Sequence, residues 1–238
     1  MNIRVLFDKV SQDDRYRTGW GVSFLVGETV LFDTGENGDW LLHNIDVMGV
    51  DIGNINAAVI SHDHWDHTGG LWRLLEKKPS ISVYACSGFG TTFKQRVRAL
   101  DGTLIESDTI TEVVPHIYVG PEINGAYKDA PISEHALIID GREGISIITG
   151  CAHPGIANMV RKIMEYFTGK KISLVMGGFH LMGEDQNRIL QVLEDFRKTG
   201  VESVGPTHCS GKEAEKKFHE AYRKQFVNVV VGDVIVAA

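Results

Sequence analysis

The sequence predicts an α/β layered fold, and three observations carry that expectation. Short runs rich in β-branched residues alternate with amphipathic helical segments along most of the chain. Each half opens strand-rich, which points to two sheets stacked between helices. The 238 residues, 43% of them hydrophobic, suffice for one large domain with a packed core.

Taken in order, "IRVLF" (3–7), "GVSFLV" (21–26) and "TVLFD" (29–33) read as strands separated by polar or Gly-containing turns. "DWLLHNIDVMG" (39–49) has helical spacing at Leu41, Leu42, Ile45 and Met48, with Gly49 as the stop. "AAVIS" (57–61) is a continuous apolar run, as expected of a strand buried on both faces, and "GGLWRLLEKK" restarts a helix. In the second half "HALIID" and "ISIITG" are strands joined by the turn "GREG" at 141–144. "IANMVRKIMEYFTGKK" (156–171) is an amphipathic helix with Ile156, Met159, Val160, Ile163 and Phe167 on one side. "ISLVMGG" is a strand, "NRILQVLEDFRKTG" a helix ending on Gly200, "SVGP" a strand, and "KEAEKKFHEAYRK" a charged helix. "FVNVVVGDVIVA" reads as a closing pair of strands. The segment 120–134, "GPEINGAYKDAPISE", lacks periodicity and reads as a surface loop or an active-site cover. No repeat, low-complexity tract or linker divides the chain, so 1–238 reads as a single domain.

The net charge of −7 gives no electrostatic footprint for nucleic acid or an anionic membrane, and neither is expected as a partner. No apolar run approaches the roughly 18 residues of a spanning helix. The opening "MNIRVLFDKV" reads as a strand and not as a secretion signal. Cys86, Cys151 and Cys209 form no disulfide spacing pattern, so a reduced, cytoplasmic setting is expected. No feature of the pattern sets an oligomeric state.

The loop after the buried strand, "ISHDHWDHTGG" (60–70), carries the chemistry. Three of the ten histidines, His62, His64 and His67, fall here with Asp66 between them. A catalytic zinc takes three or four N/O ligands and keeps one position for water. Side chains at 62 and 64 point the same way in an extended segment, so both can grip one metal. Asp66 and His67 lie where the chain turns into the next helix and can reach a second.

"H-x-H-x-D-H" following "FDTG" (32–35) resembles the metallo-β-lactamase superfamily. The resemblance implies an αββα four-layer sandwich with a one- or two-metal site at the edge of the stacked sheets. It also implies that Asp33 supports the ligand loop by hydrogen bonding without being a ligand itself. "FDTGENGDWLLHNIDVMGVDI", "ITGCAHPGI", "MGGFHL" and "PTHCSG", in that order, look like the subgroup named for dihydropterin-ribofuranosylaminobenzene-phosphate synthase. His208 in "GPTHCSG" matches the superfamily's last metal ligand. His153 in "TGCAHPG" is expected to complete a site with His62 and His64. Cys151 stands where the superfamily has a bridging Asp, either as a thiolate ligand or as a small packing residue. His135 is the alternative to His153. His180, beside Gly177 and Gly178, is expected as a ligand in place of the missing Asp or as a proton donor. Cys209 is expected to be structural, and His43, His116 and His219 to lie on the surface.

The activity implied is metal-dependent hydrolysis, with hydroxide on a metal attacking an ester, lactone or phosphoester bond of a small molecule. Two divalent ions are expected, zinc first, with Mn, Fe or Ni as alternatives. Asp66 would also orient the nucleophile, and His180 would protonate the leaving group. The rival readings are a pterin-type transferase resembling the subgroup's synthase and a non-catalytic metal-binding protein.

Overall fold

A computed structural model describes residues 1–237 and divides them into two compact units. The first comprises Met1–Thr109 and Val230–Val236, the second Ile110–Val229 with Ala237.

The first unit is built on a seven-stranded sheet. Its strands in chain order are β1 (Asn2–Phe7), β2 (Ser23–Val26), β3 (Val30–Phe32), β4 (Ala57–Val59), β5 (Ser82–Ala85), β6 (Thr103–Glu106) and, from the far end of the chain, β15 (Val234–Val236). The spatial order is β15-β1-β2-β3-β4-β5-β6. The run from β15 to β3 is antiparallel, and β3 to β6 are parallel. The helices are α1 (Gly38–Val47), the short α2 (Trp65–Thr68), α3 (Leu71–Lys77) and α4 (Thr91–Ala99). Asn37 starts α1 by accepting the Asp39 and Trp40 N–H groups on its side chain, and Gly49 ends it at φ 64°. Leu41 and Ile45 of α1 join Leu71, Leu74 and Leu75 of α3 in a core with Leu6, Leu31, Ala58 and Val83 of the sheet. That packing, removed from water at roughly 25 cal/mol per Å² of apolar area, holds the parallel strands against their helices.

The second unit has a six-stranded sheet of order β14-β13-β12-β11-β8-β7 and a separate two-stranded ribbon. Its strands are β7 (Thr111–Val114), β8 (Ile117–Val119), β9 (Ile123–Tyr127), β10 (Ala130–Glu134), β11 (Leu137–Asp140), β12 (Ile145–Thr149), β13 (Ile172–Gly178) and β14 (Val201–Thr207). β12, β13 and β14 are parallel. Three helices, α5 (Ile156–Met164), α6 (Gln186–Thr199) and α7 (Lys212–Tyr222), pack on this sheet through Met159, Ile163, Val192, Phe196 and Phe218. Phe179, Phe196 and Phe218 meet edge to face with centroids 5.4–5.7 Å apart. Gly200, at φ 74°, ends α6 as the spacing predicts.

Three expectations change. Residues 120–134 are not a loop: β9 and β10 form a β-hairpin in which Tyr127 faces Ala130. The two turn residues, Lys128 (φ 48°) and Asp129 (φ 64°), both lie in the left-handed region, as a two-residue type I′ turn demands. That turn normally carries Asn-Gly, so its signal was missing from the sequence. Helix α5 ends at Met164, earlier than its pattern suggests, because the chain turns through Gly169 at φ 83° before β13. The closing pair of strands is one strand, β15; before it, Phe226 and Val231 make only isolated bridges, to Val204 and Ser11. Between 79 and 119 the structure adds β5, α4 and β6–β8, beyond the elements that the sequence pattern predicts.

The candidate ligands follow the carboxyl ends of parallel strands, where open α/β sheets leave room for ligands. The histidine loop follows β4; Cys151 and His153 follow β12, His180 follows β13 and His208 follows β14.

The hairpin turn makes a first prediction. Replacing Lys128-Asp129 by Asn-Gly should relieve the left-handed strain and stabilise the protein by about 0.5–1 kcal/mol, a rise in Tm of roughly 1–4 °C by thermal denaturation. A fall in Tm would contradict the turn assignment.

Candidate metal centre

In the first unit the site begins with Asp33. β3 and β4 are parallel neighbours, and Asp33 N–H donates to the Val59 carbonyl at 2.9 Å, so the end of β3 lies beside the start of the histidine loop. Asp33 is fully buried at φ 53°. Its Oδ1 accepts the Ser61 N–H at 2.7 Å, and its Oδ2 accepts the Ser61 hydroxyl at 2.7 Å and His67 Nδ1–H at 2.6 Å.

These bonds fix tautomers. The Ser61 hydroxyl proton is committed to Asp33, so at 2.9 Å the His62 Nδ1–H must donate to Ser61 Oγ. His67 likewise spends Nδ1–H on Asp33. Both rings therefore turn Nε2 toward the site, in the manner of metal-binding imidazoles held by a carboxylate. His62 Nε2 lies 3.1 Å from His64 Nδ1, the His62 and His67 ring centroids are 4.1 Å apart, and Asp66 Oδ2 is 3.4 Å from His67 Nε2. Four donor side chains thus converge, three of them buried. The remaining acid of the loop, Asp63, accepts the Gly90 N–H at 2.9 Å and anchors the loop to the start of α4.

Burial disfavours a charged His67, but the charge and hydrogen bond of Asp33, joined by Asp66, outweigh it and raise its pKa to about 10. Without a metal, a proton takes a cation's place between the two carboxylates; a metal would displace it.

In the second unit a different carboxylate does the same work. Glu134, at the end of β10, is fully buried. Its Oε1 accepts the N–H groups of Cys151 (2.9 Å) and Ala152 (2.7 Å), and its Oε2 accepts that of His153 (2.8 Å). This clamp shapes the turn after β12, with Ala152 at φ 66°. Sequence reasoning missed Glu134; a lone acid three residues before an apolar strand gave no signal. Cys151 Sγ lies 3.4 Å from His208 Nε2, and Cys151, His153 and His180 each bring a donor atom within 4.8 Å of the others. The His153 and His180 rings are 4.3 Å apart, and Tyr127 of the hairpin faces them at 5.2 and 6.1 Å. Gly177 and Gly178 are needed for close approach of backbone: a Cβ there would sit 2.0 Å from the Thr149 carbonyl oxygen and 2.2 Å from that of Gly150. His180 and His208 stand at φ 49° and 50°. A hydrogen bond donated by the protonated ring to the Cys209 sulfur outweighs partial burial and raises the His180 pKa. Burial pushes the Cys209 thiol up, yet hydrogen bonds with Cys151 and His180 and the nearby imidazoles bring it well below its usual value.

His135 is buried at the end of β10 and joins none of the unit's three-donor groups among the described residues. Cys209 is buried with Sγ 3.5 Å from the Cys151 carbonyl oxygen. His116 and His219 are exposed, and His43 bonds the Arg15 carbonyl.

Two openings adjoin these residues, one in each unit. A cleft of about 540 Å³ beside the histidine loop is lined by Trp65, Trp72, Phe93 and Arg96, with Glu36 and Asp63 at its polar side. The Arg96 guanidinium stacks 4.1 Å over Trp72, and Trp65 is 61% exposed. In the second unit a cavity of about 340 Å³ is lined by His153 and the start of α5, by His180 and Glu184, and by Arg188 of α6.

Residues 21–160, more than half of the chain, match the family model of the metallo-β-lactamase superfamily. The chain is 28% identical to 7,8-dihydropterin-6-methyl-4-(β-D-ribofuranosyl)-aminobenzene-5'-phosphate synthase of Methanocaldococcus jannaschii, over 90% of this chain and 89% of that one. It is also similar to the solved structure of Tm1679, a metal-dependent hydrolase of the β-lactamase superfamily, at 28% identity and TM-score 0.85 with both chains fully covered. YhfI from Bacillus subtilis, a metallo-β-lactamase fold protein, superposes with TM-score 0.70 at 12% identity over 98% of each chain, a likeness of fold.

Two outcomes follow from the buried carboxylate. Asp33→Ala would leave the Ser61 N–H, the Ser61 hydroxyl and His67 Nδ1–H without their acceptor, costing about 3 kcal/mol or more; a urea midpoint equal to that of the parent would contradict this. The second concerns pH. A His67 pKa raised from 6.5 to about 10 means that its proton stabilises the folded chain. In chelator-treated protein this contribution is complete below about pH 6.5 and is lost as pH rises through about 10. The urea midpoint should fall across that interval, and a rising midpoint would refute the assignment.

Proposed function

The chain belongs to the metallo-β-lactamase superfamily, and from that premise we propose that it is a metal-dependent hydrolase of an ester, lactone or phosphoester bond in a small molecule. The observation that carries this reading is the set of imidazole nitrogens turned inward by Asp33 and Ser61. The donor chemistry fits divalent ions: imidazole and carboxylate suit zinc, with Mn, Fe and Ni as alternatives. We assign His62, His64, Asp66 and His67 of the first unit and His153 and His208 of the second as metal ligands. Bound there, the ions would bring the pKa of a coordinated water to about 7 and polarise the bond to be broken.

The chain's own residues do the rest. Asp33 holds the His62 and His67 rings in place. Asp66 orients the attacking water through its carboxylate. His180, whose raised pKa favours the protonated form, gives its proton to the leaving oxygen. Arg188 lines the same cavity as His153 and His180, and its guanidinium suits an anionic group on the substrate. The three free, buried thiols suit a reducing, cytoplasmic setting. Among the described residues no helix is long and apolar enough to cross a membrane. With a net charge of −7, a small molecule is favoured over nucleic acid as substrate.

A transferase is the second reading, and the aromatic cleft favours it. Trp65, Trp72 and Phe93, with Arg96 stacked beside them, would accept a planar heteroaromatic ring. The relative named as a dihydropterin synthase points to that class. A second organic substrate would then take the place of water.

Metal analysis of the His62→Ala/His64→Ala protein tests the common premise. At least one ion per chain should be lost, and hydrolysis of a panel of esters, lactones and phosphodiesters should fall by at least about 10³-fold, as expected when the group activating the nucleophile is removed. Full occupancy would defeat the ligand assignment. Pyrophosphate release from a pterin diphosphate that requires an aminobenzene riboside would select transfer over hydrolysis.

A further inference from the structure

We propose that Cys151 is a thiolate ligand of the metal centre, in the place where the superfamily pattern has a bridging aspartate. The inference rests on the metal-dependent reading above for His153 and His208 and adds to it the ligand that decides which metal is bound.

The geometry lies within the second unit. Cys151 follows β12 directly and is buried at 4% exposure. Its Sγ is 3.4 Å from His208 Nε2, and the group it forms with His153 and His180 has all donor atoms within 4.8 Å of one another. The sulfur thus lies close to two proposed ligand histidines, His153 and His208. Its direction is fixed from behind: Glu134 holds the N–H groups of Cys151, Ala152 and His153 at 2.7–2.9 Å. That clamp also engages both oxygens of the buried carboxylate, so the anionic donor that this turn offers a cation is the thiol. A buried thiol kept only for packing would be expected among apolar side chains. Here it faces imidazoles.

The exchange has a chemical consequence. A carboxylate ligand accommodates Mn or Mg, whereas a thiolate selects zinc, cobalt or iron. The thiol proton leaves as the metal binds, so the added negative charge offsets the ion as an aspartate would.

Cobalt(II) provides the probe. Purified protein stripped by chelator and reloaded with Co(II) should show an intense near-ultraviolet sulfur-to-cobalt charge-transfer band beside the weaker visible d–d bands. Cys151→Ser should abolish that band, and Cys209→Ser should keep it. Cys151→Asp should restore full cobalt stoichiometry without the band and should narrow the preference for zinc over manganese. Loaded parent protein with d–d bands alone would overturn the inference without need of any variant. So would a band that survives Cys151→Ser, or one lost in Cys209→Ser and kept in Cys151→Ser. Failure of the wider reading looks different: the His62→Ala/His64→Ala protein would then bind as much cobalt as the parent, whatever the band shows.

Discussion

The hydrogen bonds that Asp33 accepts from Ser61 and His67 are the constraint on which the first unit's histidine loop depends. A buried carboxylate is costly unless hydrogen bonds replace its water, and here three donors do so. Two of those donors pass the effect on. His67 gives up Nδ1–H, and Ser61, by spending its hydroxyl proton, obliges His62 to give up its own. One negative charge thereby decides which nitrogen of two separate rings faces the site. Glu134 solves the equivalent problem under the second loop by another route, accepting three backbone N–H groups. The first carboxylate orients side chains and the second orients the chain itself.

Backbone conformation at these strand ends follows the same logic. Asp33, Ala152, His180 and His208 all have positive φ, between 49° and 66°, and each follows the carboxyl end of a parallel strand. A left-handed L-residue costs roughly 1–2 kcal/mol, and such residues persist where the surroundings hold them. The sharp turn lets a residue leave the sheet and aim its side chain at once, which a relaxed extended exit would not do. The paired parallel strands supply the hold: β3 against β4 in one unit, and β12, β13 and β14 in the other.

Much of this was legible in the sequence. The helix at Leu41 and Ile45, the one ending on Gly200, and the strands at 57–61 and 172–178 follow from periodicity and caps. The histidine loop stood out because imidazoles and carboxylates crowd into a few residues, and the family resemblance holds over more than half of the chain. Hidden were the features that rely on contacts distant in sequence. Glu134 acts on residues 151–153 across two strands, and no spacing rule connects them. The β9–β10 hairpin was obscured because Lys128 and Asp129 fill turn positions usually held by Asn and Gly. Cys151 was visible as a departure from the pattern, and its neighbour His208, 57 residues away, gave that departure a meaning.

The most direct measurement of the central claim is anomalous diffraction from crystals grown with zinc, recorded on both sides of the zinc absorption edge. Anomalous peaks are expected about 2.0–2.1 Å from His62 Nε2 and from His67 Nε2, with each Nδ1 still on its Ser61 or Asp33 partner. Peaks bound through Nδ1 of either ring, or none at these imidazoles, would contradict it.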